Sequence, residues 1–366
     1  EPTQVALGLA RLAALLVCDV GYCRHQKSWR AVAARQAPCP VVQVESDVVV
    51  PVAAASPKAE YAARTLRPKL QRLLPDYLVP APRLTPGRSG LELDLKGLAI
   101  GDGVAALLKG LKIDRSVGAV SRFFPGGAKA AKERFQEFLN ERLRRYARNG
   151  NQPQTDDVSG MSPYLHFGQV SPLYLALTLQ QHAAVDPADR DAYLEELIVR
   201  RELAVNFVHH TPDYDRFACL PAWARKTLAD HAPDPRPYLY ERPALEAAET
   251  HDPYWNAAMR EMTVTGFMHN YMRMYWGKKV LEWSPTPAAA FENLLGLNNR
   301  YFLDGRDPNS FAGVAWIFGM HDRAWPERAV FGKVRSMTAA GLERKCDIRA
   351  YTAKVSRRTA GGNRLP

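Results

Sequence analysis

Two short stretches hold most of the side chains able to do chemistry. Gly319-Met-His-Asp-Arg-Ala-Trp-Pro-Glu-Arg-Ala-Val-Phe-Gly-Lys-Val-Arg335 gathers His, Asp, Trp, Glu, Lys and Arg in one run. It is too polar for a core and too rich in large side chains for a passive loop. Upstream, Glu195-Glu-Leu-Ile-Val-Arg-Arg-Glu-Leu-Ala-Val-Asn-Phe207 is equally dense. Within it Glu196 precedes Arg200 by four residues, the spacing of a solvated helical ion pair. Trp276 and Trp283 are seven residues apart, so one face of one helix would carry both, about 10.5 Å apart along its axis. Trp255 stands 21 residues before Trp276. Tryptophans at such spacing are read first as core, and only a partner chemistry would give them more to do.

The charge points to that partner. The chain of 366 residues carries a net charge of +11, which attracts polyanions, nucleic acid foremost. From Arg323 to Arg358 ten Lys/Arg face three acids, so +7 of the excess lies in about a tenth of the length. A phosphate-facing surface near the C-terminus follows, with affinity that weakens as salt is added. Five cysteines show no CxxC and no paired spacing, which suggests reduced structural thiols, and no metal site is expected. No apolar run reaches the roughly 18 residues that span a bilayer, so no membrane partner is expected. The chain opens at Glu1 without a Met, and the native N-terminus, with any targeting segment, is expected to lie outside it. A cytoplasmic location is expected, nuclear or organellar in a eukaryote.

The elements that must position these residues divide the chain in three. Residues 1–75 read as a partial α/β domain: apolar strands at Ala13–Cys18 and Val41–Val44 flank a helix over Gln26–Arg35, a βαβ pattern with a parallel sheet. Residues 76–127 are rich in Pro and Gly (Pro80, Pro82, Pro86, Gly87, Gly90) and suggest a connection, with some helix near Val104–Leu111. Residues 128–366 have helical period almost throughout. Helices are predicted over Lys132–Tyr146, Pro172–His182, Ala192–Val208, Met262–Leu281 and Pro287–Leu295, with ends at Ser284-Pro285 and Gly296.

Taken in order and about a hundred residues apart, the two dense runs resemble the paired signatures of class II cyclobutane pyrimidine dimer photolyases, light-driven flavoenzymes of DNA repair. The resemblance covers most of the chain and is dense from about residue 130 to 338. It implies an all-helical FAD-binding domain after the partial α/β domain, DNA containing pyrimidine dimers as partner, and a monomer. Because no GxGxxG loop is present, the flavin candidates come from the resemblance. Ser159-Gly-Met-Ser162 looks like the family's phosphate-contacting turn, so Ser159, Met161 and Ser162 are cofactor candidates. Hydroxyls and free N–H groups suit a pyrophosphate, although a plain helix cap by Ser162 explains the same residues. Tyr146 matches an aromatic that packs on the cofactor. Asn298 falls where the family faces flavin N5, and an amide can donate or accept there. Arg273 and Asp304 match a charge pair against the isoalloxazine ring, where a cation favours the anionic reduced flavin. Trp276, Trp255 and Trp283 match the photoreduction relay, with Trp276 next to the flavin, Trp255 nearer solvent and Trp283 a side partner.

By the same resemblance, Glu196 would hydrogen-bond the flipped dimer and stabilise its radical anion, which asks for a partly desolvated carboxyl. Trp316 would stack on the extruded dimer, while Arg323 and Trp325 would fill the gap left in the duplex. A dimer is already poorly stacked, so its extrusion is less costly than that of a sound base. Arg328, Lys333 and Arg335 would grip phosphates without sequence preference, the alternative being a basic helical face. The pattern breaks at Ser336 and Thr338, where the family favours an aromatic and an Asn. It breaks also at Gly277, where Ala would suit a helix interior better, and in the front segment after Asp19, where the opening strands read as lost. An antenna chromophore, seated by the family in that front domain, is therefore doubtful. Other readings are a cryptochrome-like sensor that keeps the flavin and tryptophans but signals, a (6-4) photoproduct enzyme, for which His209-His210 lie near Glu196, and a DNA-binding relic without repair.

Overall fold

The computed structural model describes residues 1–82, 84–85, 87–90, 93–95, 97, 101, 103–182 and 185–360; Pro86 of the expected connection lies outside them. Leu16–Asp19 and Val41–Val44 form a parallel pair, with Leu16 opposite Val41 and Asp19 opposite Val44. The helix Arg24–Gln36 joins them, which is the βαβ unit expected from the alternation of short apolar runs with a helical stretch. Among the described residues the sheet has these two strands alone. Val17, Val42 and Val44 are each about half exposed on it.

Among the described residues beyond Ala63 the regular elements are helices, apart from one antiparallel bridge at Arg328–Gly332. Many of these helices begin the same way, with a capping oxygen followed by proline at the first position. Ser171, Asp186, Asp252, Thr286 and Asp307 each accept a backbone N–H from the first turn, and each precedes a proline. The side chain satisfies an orphan donor, while proline fixes φ where no N–H is needed. Two large apolar clusters result. One surrounds Trp255, Trp276 and Trp283 and takes in Tyr22, Val48 and Val52 from the front of the chain. The other surrounds Phe135, Phe138 and Tyr193 and takes in Val50, Leu66 and Leu70.

Four predicted helices come out differently, and each difference has a local cause. Met262–Leu281 is two helices, Pro253–Thr265 and Asn270–Trp283. The break is at Gly266, whose φ of 70° ends the first helix. A Cβ there would also lie 2.7 Å from Leu303 Cγ. Gly296, read as a helix end, lies inside Pro287–Tyr301, its missing side chain leaving room for the Arg242 guanidinium. Ala192–Val208 is helical but not uniformly α: Pro187–Leu194 and Arg201–His210 flank a π-helical turn over Glu195–Arg200. A second π turn, Phe138–Arg142, and a 3-10 turn, Leu143–Arg145, interrupt Lys132–Tyr146 in the same manner. Wide turns of this kind gather at functional sites, because they re-aim side chains that a straight helix would bury.

Candidate active site

Glu196 and Tyr146 both lie on or beside these irregular turns. Tyr146 meets Tyr193 edge-on at 5.4 Å and Phe138 at 5.8 Å. Tyr193, fully enclosed, shares a hydrogen bond with the Ser159 hydroxyl. Tyr146 is near enough to Glu196 for the carboxylate to help push the phenol pKa up, after the larger effect of burial. These contacts join Tyr146, Ser159 and Glu196 into one neighbourhood.

The expected Glu196–Arg200 ion pair does not form. A π turn brings residues five apart together, and Arg200 Nε meets Glu195 Oε1 at 3.1 Å, a carboxylate also held by Arg67 at 2.7 Å. Among the described residues Glu196 has neither an ion pair nor a hydrogen bond. Its side chain is open to solvent, yet desolvation by surrounding protein lifts its pKa from the ordinary carboxylate value. The Arg200 charge opposes that lift and Glu195 adds to it. Arg200 also covers the ring of half-buried Trp316 at 5.7 Å.

A second neighbourhood forms on Asn270–Trp283 and Pro287–Tyr301. Arg273 and Asp304 make a two-pronged ion pair, each contact 3.0 Å, and the guanidinium lies 3.9 Å over the Phe302 ring. Phe302 meets Trp276 edge-on at 6.1 Å. Asn298, expected just past a helix end, is inside the helix and buried, donating its amide to Asn299 Oδ1 at 3.1 Å. Ser162 begins the short Ser162–His166 helix without acting as its cap; Met161 occupies that place and is buried. Tyr164 on this helix reaches Arg273 through Phe124 and Phe267, with ring separations of 6.3 and 5.8 Å.

All three relay candidates are buried, each at 2% exposure or less. Trp255 and Trp283 meet at 5.7 Å, and Trp255 Nε1 donates to the Trp276 carbonyl at 2.9 Å. Trp255, expected nearer solvent, is fully enclosed, its ring packed on Trp283. Three polar atoms around the second neighbourhood, Trp276 Nε1, His269 Nε2 and Tyr164 OH, are buried without a hydrogen-bond partner among the described residues. Unpaired buried donors are costly, and together they suit a polar ligand. His269, which caps the helix of Arg273 through Nδ1, was not singled out from sequence; its place just before a helix start was the available signal.

The dense basic run is a hairpin, not a helical face. Arg328 and Gly332 exchange backbone hydrogen bonds of 3.0 and 2.7 Å, and Trp325 N donates to the Lys333 carbonyl at 2.8 Å. Pro326 and the left-handed Val330 exclude a helix here. Asp322 holds the Trp325 indole N–H at 3.2 Å, and Arg323 and Arg335 lie over the ring at 5.1 and 5.2 Å. Arg323, Arg328, Lys333 and Arg335 are exposed. His321 connects the hairpin back to Trp316 at 5.9 Å and donates to the Tyr61 carbonyl at 2.9 Å.

The helical architecture with its small parallel sheet is that of photolyases. A class III photolyase from Agrobacterium tumefaciens superposes with a TM-score of 0.68 over 98% of this chain and 72% of its own, at 16% identity. The sequence matches no protein-family model. Among curated proteins, a deoxyribodipyrimidine photolyase of Methanothermobacter thermautotrophicus is 50% identical over 355 residues, 97% of this chain and 77% of that protein. The Arabidopsis thaliana enzyme of the same name is 43% identical over 321 residues, and the chain spans 64% of its length. The chain belongs to the deoxyribodipyrimidine photolyase family.

Proposed function

We propose that this protein is a class II photolyase that splits cyclobutane pyrimidine dimers in DNA under light, with reduced FAD as its cofactor. The observation that carries the reading is Glu196: a carboxyl released from its helical ion pair by a π turn, partly desolvated, and close to both Tyr146 and the Arg200–Trp316 pair. The class II assignment rests on the two dense runs. FAD, when bound, supplies the electron that opens the cyclobutane ring. Trp276 Nε1, His269 Nε2, Tyr164 OH and the Ser159 hydroxyl fit a polar cofactor, with Met161 and Ser162 at the phosphate turn and Tyr146 against the cofactor.

The other residues act by position and charge. Arg273, neutralised by Asp304, lies where a cation favours the reduced cofactor, and buried Asn298 offers an amide that can donate or accept. Glu196, whose pKa desolvation raises, serves as the hydrogen-bonding carboxyl toward the extruded dimer, and Trp316 stacks on it. Trp276, Trp255 and Trp283 would relay an electron from an external reductant to an oxidised cofactor. Arg323 and Trp325 occupy the gap in the duplex, while Arg328, Lys333 and Arg335 hold phosphates. Glu196, Trp316 and the hairpin favour repair over a sensor, which needs none of them.

The test is illumination of the reduced protein with an oligothymidine carrying cyclobutane dimers, following thymine absorbance against a dark control. Light-dependent recovery is expected. No recovery with a bound, photoreducible flavin would favour the sensor, and no flavin at all would overturn the cofactor assignment.

A further inference from the structure

The lesion-facing hairpin is seated on the rest of the protein by a histidine that the repair chemistry does not use. His231 follows the helix Ala222–Asp230. Its Nδ1 lies 2.6 Å from Asp234 Oδ2, and its Nε2 lies 2.8 Å from Glu327 Oε1 on the hairpin. An ionised carboxylate only accepts hydrogen bonds, and a neutral imidazole carries one N–H. With a carboxylate on each nitrogen, the ring satisfies both only as the doubly protonated imidazolium.

The same turn makes the hairpin's other attachments. Val330 N donates to Asp234 Oδ2 at 2.8 Å, and Lys333 N donates to Thr227 Oγ1 at 3.0 Å. Gly332 passes so close that a Cβ on it would lie 2.8 Å from His231 Cδ2. The hairpin needs such support. Among the described residues it is closed only by the Arg328–Gly332 bridge and the Trp325 N–Lys333 carbonyl hydrogen bond, and Val330, a β-branched residue, is held at a φ of 68°.

Resting on the reading of this hairpin as the lesion-binding element, we propose that His231 is its positioning residue, holding it as an imidazolium, so that affinity for damaged DNA depends on pH. The charged groups on the elements around the ring are Asp234, Glu327, Arg236 beside Asp234, Arg225 and the mutually paired Lys226 and Asp230, and the exposed Arg323, Arg328, Lys333 and Arg335 of the hairpin run. The hydrogen bond to Glu327, then that to Asp234, raises the His231 pKa above its ordinary value. The clasp is therefore complete below the ordinary pKa of about 6.5 and is lost as pH rises through the raised one. Once one proton leaves, a carboxylate faces a ring lone pair, and Glu327 or Asp234 lets go.

The experiment is binding of a duplex with one thymine dimer, read by fluorescence anisotropy at constant salt from about pH 6 to 9. Wild-type affinity is expected to fall about three- to tenfold across that range, the scale of one charged hydrogen bond at a partly exposed site. His231→Gln should bind at the weaker level throughout. Glu327→Gln, on an exposed side chain that leaves folding intact, should bind normally at low pH and weaken at a lower midpoint. Lys278, buried beneath the same run with its pKa lowered to about 7 by desolvation, titrates in the same window. A His231→Gln protein that keeps the wild-type pH profile would thus assign the effect elsewhere and overturn the clasp. Hydrogen exchange of the 325–335 segment without DNA, corrected for intrinsic rates, separates the two readings. Protection that falls with pH in wild type and is absent in His231→Gln supports the clasp, even if dimer DNA binds nowhere and the repair reading fails. Protection indifferent to both overturns it.

Discussion

At Glu196 the backbone decides the chemistry. On a straight helix the carboxylate would pair with Arg200 and stay ionised; on the π turn Arg200 goes to Glu195, and Glu196 is left to desolvation. Glu196→Gln keeps the shape and a hydrogen-bond donor but gives up the acid. It is expected to lower light-driven repair by about 10- to 100-fold, the range of one hydrogen bond to a charged group, while flavin content stays unchanged. Repair yield per absorbed photon, set beside the flavin absorbance of the purified variant, checks both halves. An unchanged yield would remove Glu196 from the mechanism.

Gly277 shows how an element can reverse a propensity argument. In isolation Ala is the better helix former by about 1 kcal/mol. In the structure a Cβ at Gly277 would run into Ile317, with Cγ1 at 2.8 Å and Cδ1 closer still. The helix Asn270–Trp283, which carries Arg273 and Trp276, thus crosses Pro308–Ile317, which carries Trp316, at a contact with no room for a methyl group. Gly277→Ala is expected to destabilise by about 1–3 kcal/mol, the usual effect of overpacking. Denaturant unfolding measures it; a stabilised variant would mean that Ile317 finds another rotamer. Gly266 works through its backbone instead, since its positive φ ends one helix and allows His269 to cap the next.

Across the molecule, the front of the chain is tied to the helical part by buried polar groups on one helix. Arg201 pairs with Asp47, Glu202 accepts the Val49 and Val50 N–H groups, and Asn206 bonds both Glu60 N and the Lys58 carbonyl. Burial pushes Glu202 up to about 8, against the pull of the two N–H groups, and its Oε2 has no partner. The folded state therefore keeps a proton that the unfolded state releases near pH 4.5, and this group's contribution to stability falls as pH rises from there toward 8. The loss is on the order of a few kcal/mol. Glu202→Gln mimics the protonated carboxyl and should flatten that slope, so melts of both proteins between about pH 5 and 8 are expected to converge at the acid end. Parallel slopes would place the pH dependence elsewhere.

Local signals were enough to read the βαβ unit, the helical period beyond residue 128 and the dense runs, because short apolar periods and unusual side-chain density are properties of neighbours in the chain; the capped starts at Asp186, Asp252 and Asp307 were not read from them. The tryptophans were legible as a set for the same reason. The π turns at Tyr146 and Glu196, the hairpin under Trp325 and the requirement for Gly277 were not, since each depends on a contact far away in sequence: Tyr193 on Tyr146, Thr227 and His231 on the hairpin, Ile317 on Gly277. A helical period survives the insertion of a wide turn almost unchanged, so the pattern of side chains alone cannot show where one occurs. Sequence by itself determined the family and the residues available to the site. Tertiary structure decided which charges were spent on one another and which, like Glu196, were left without an ion pair among the described residues.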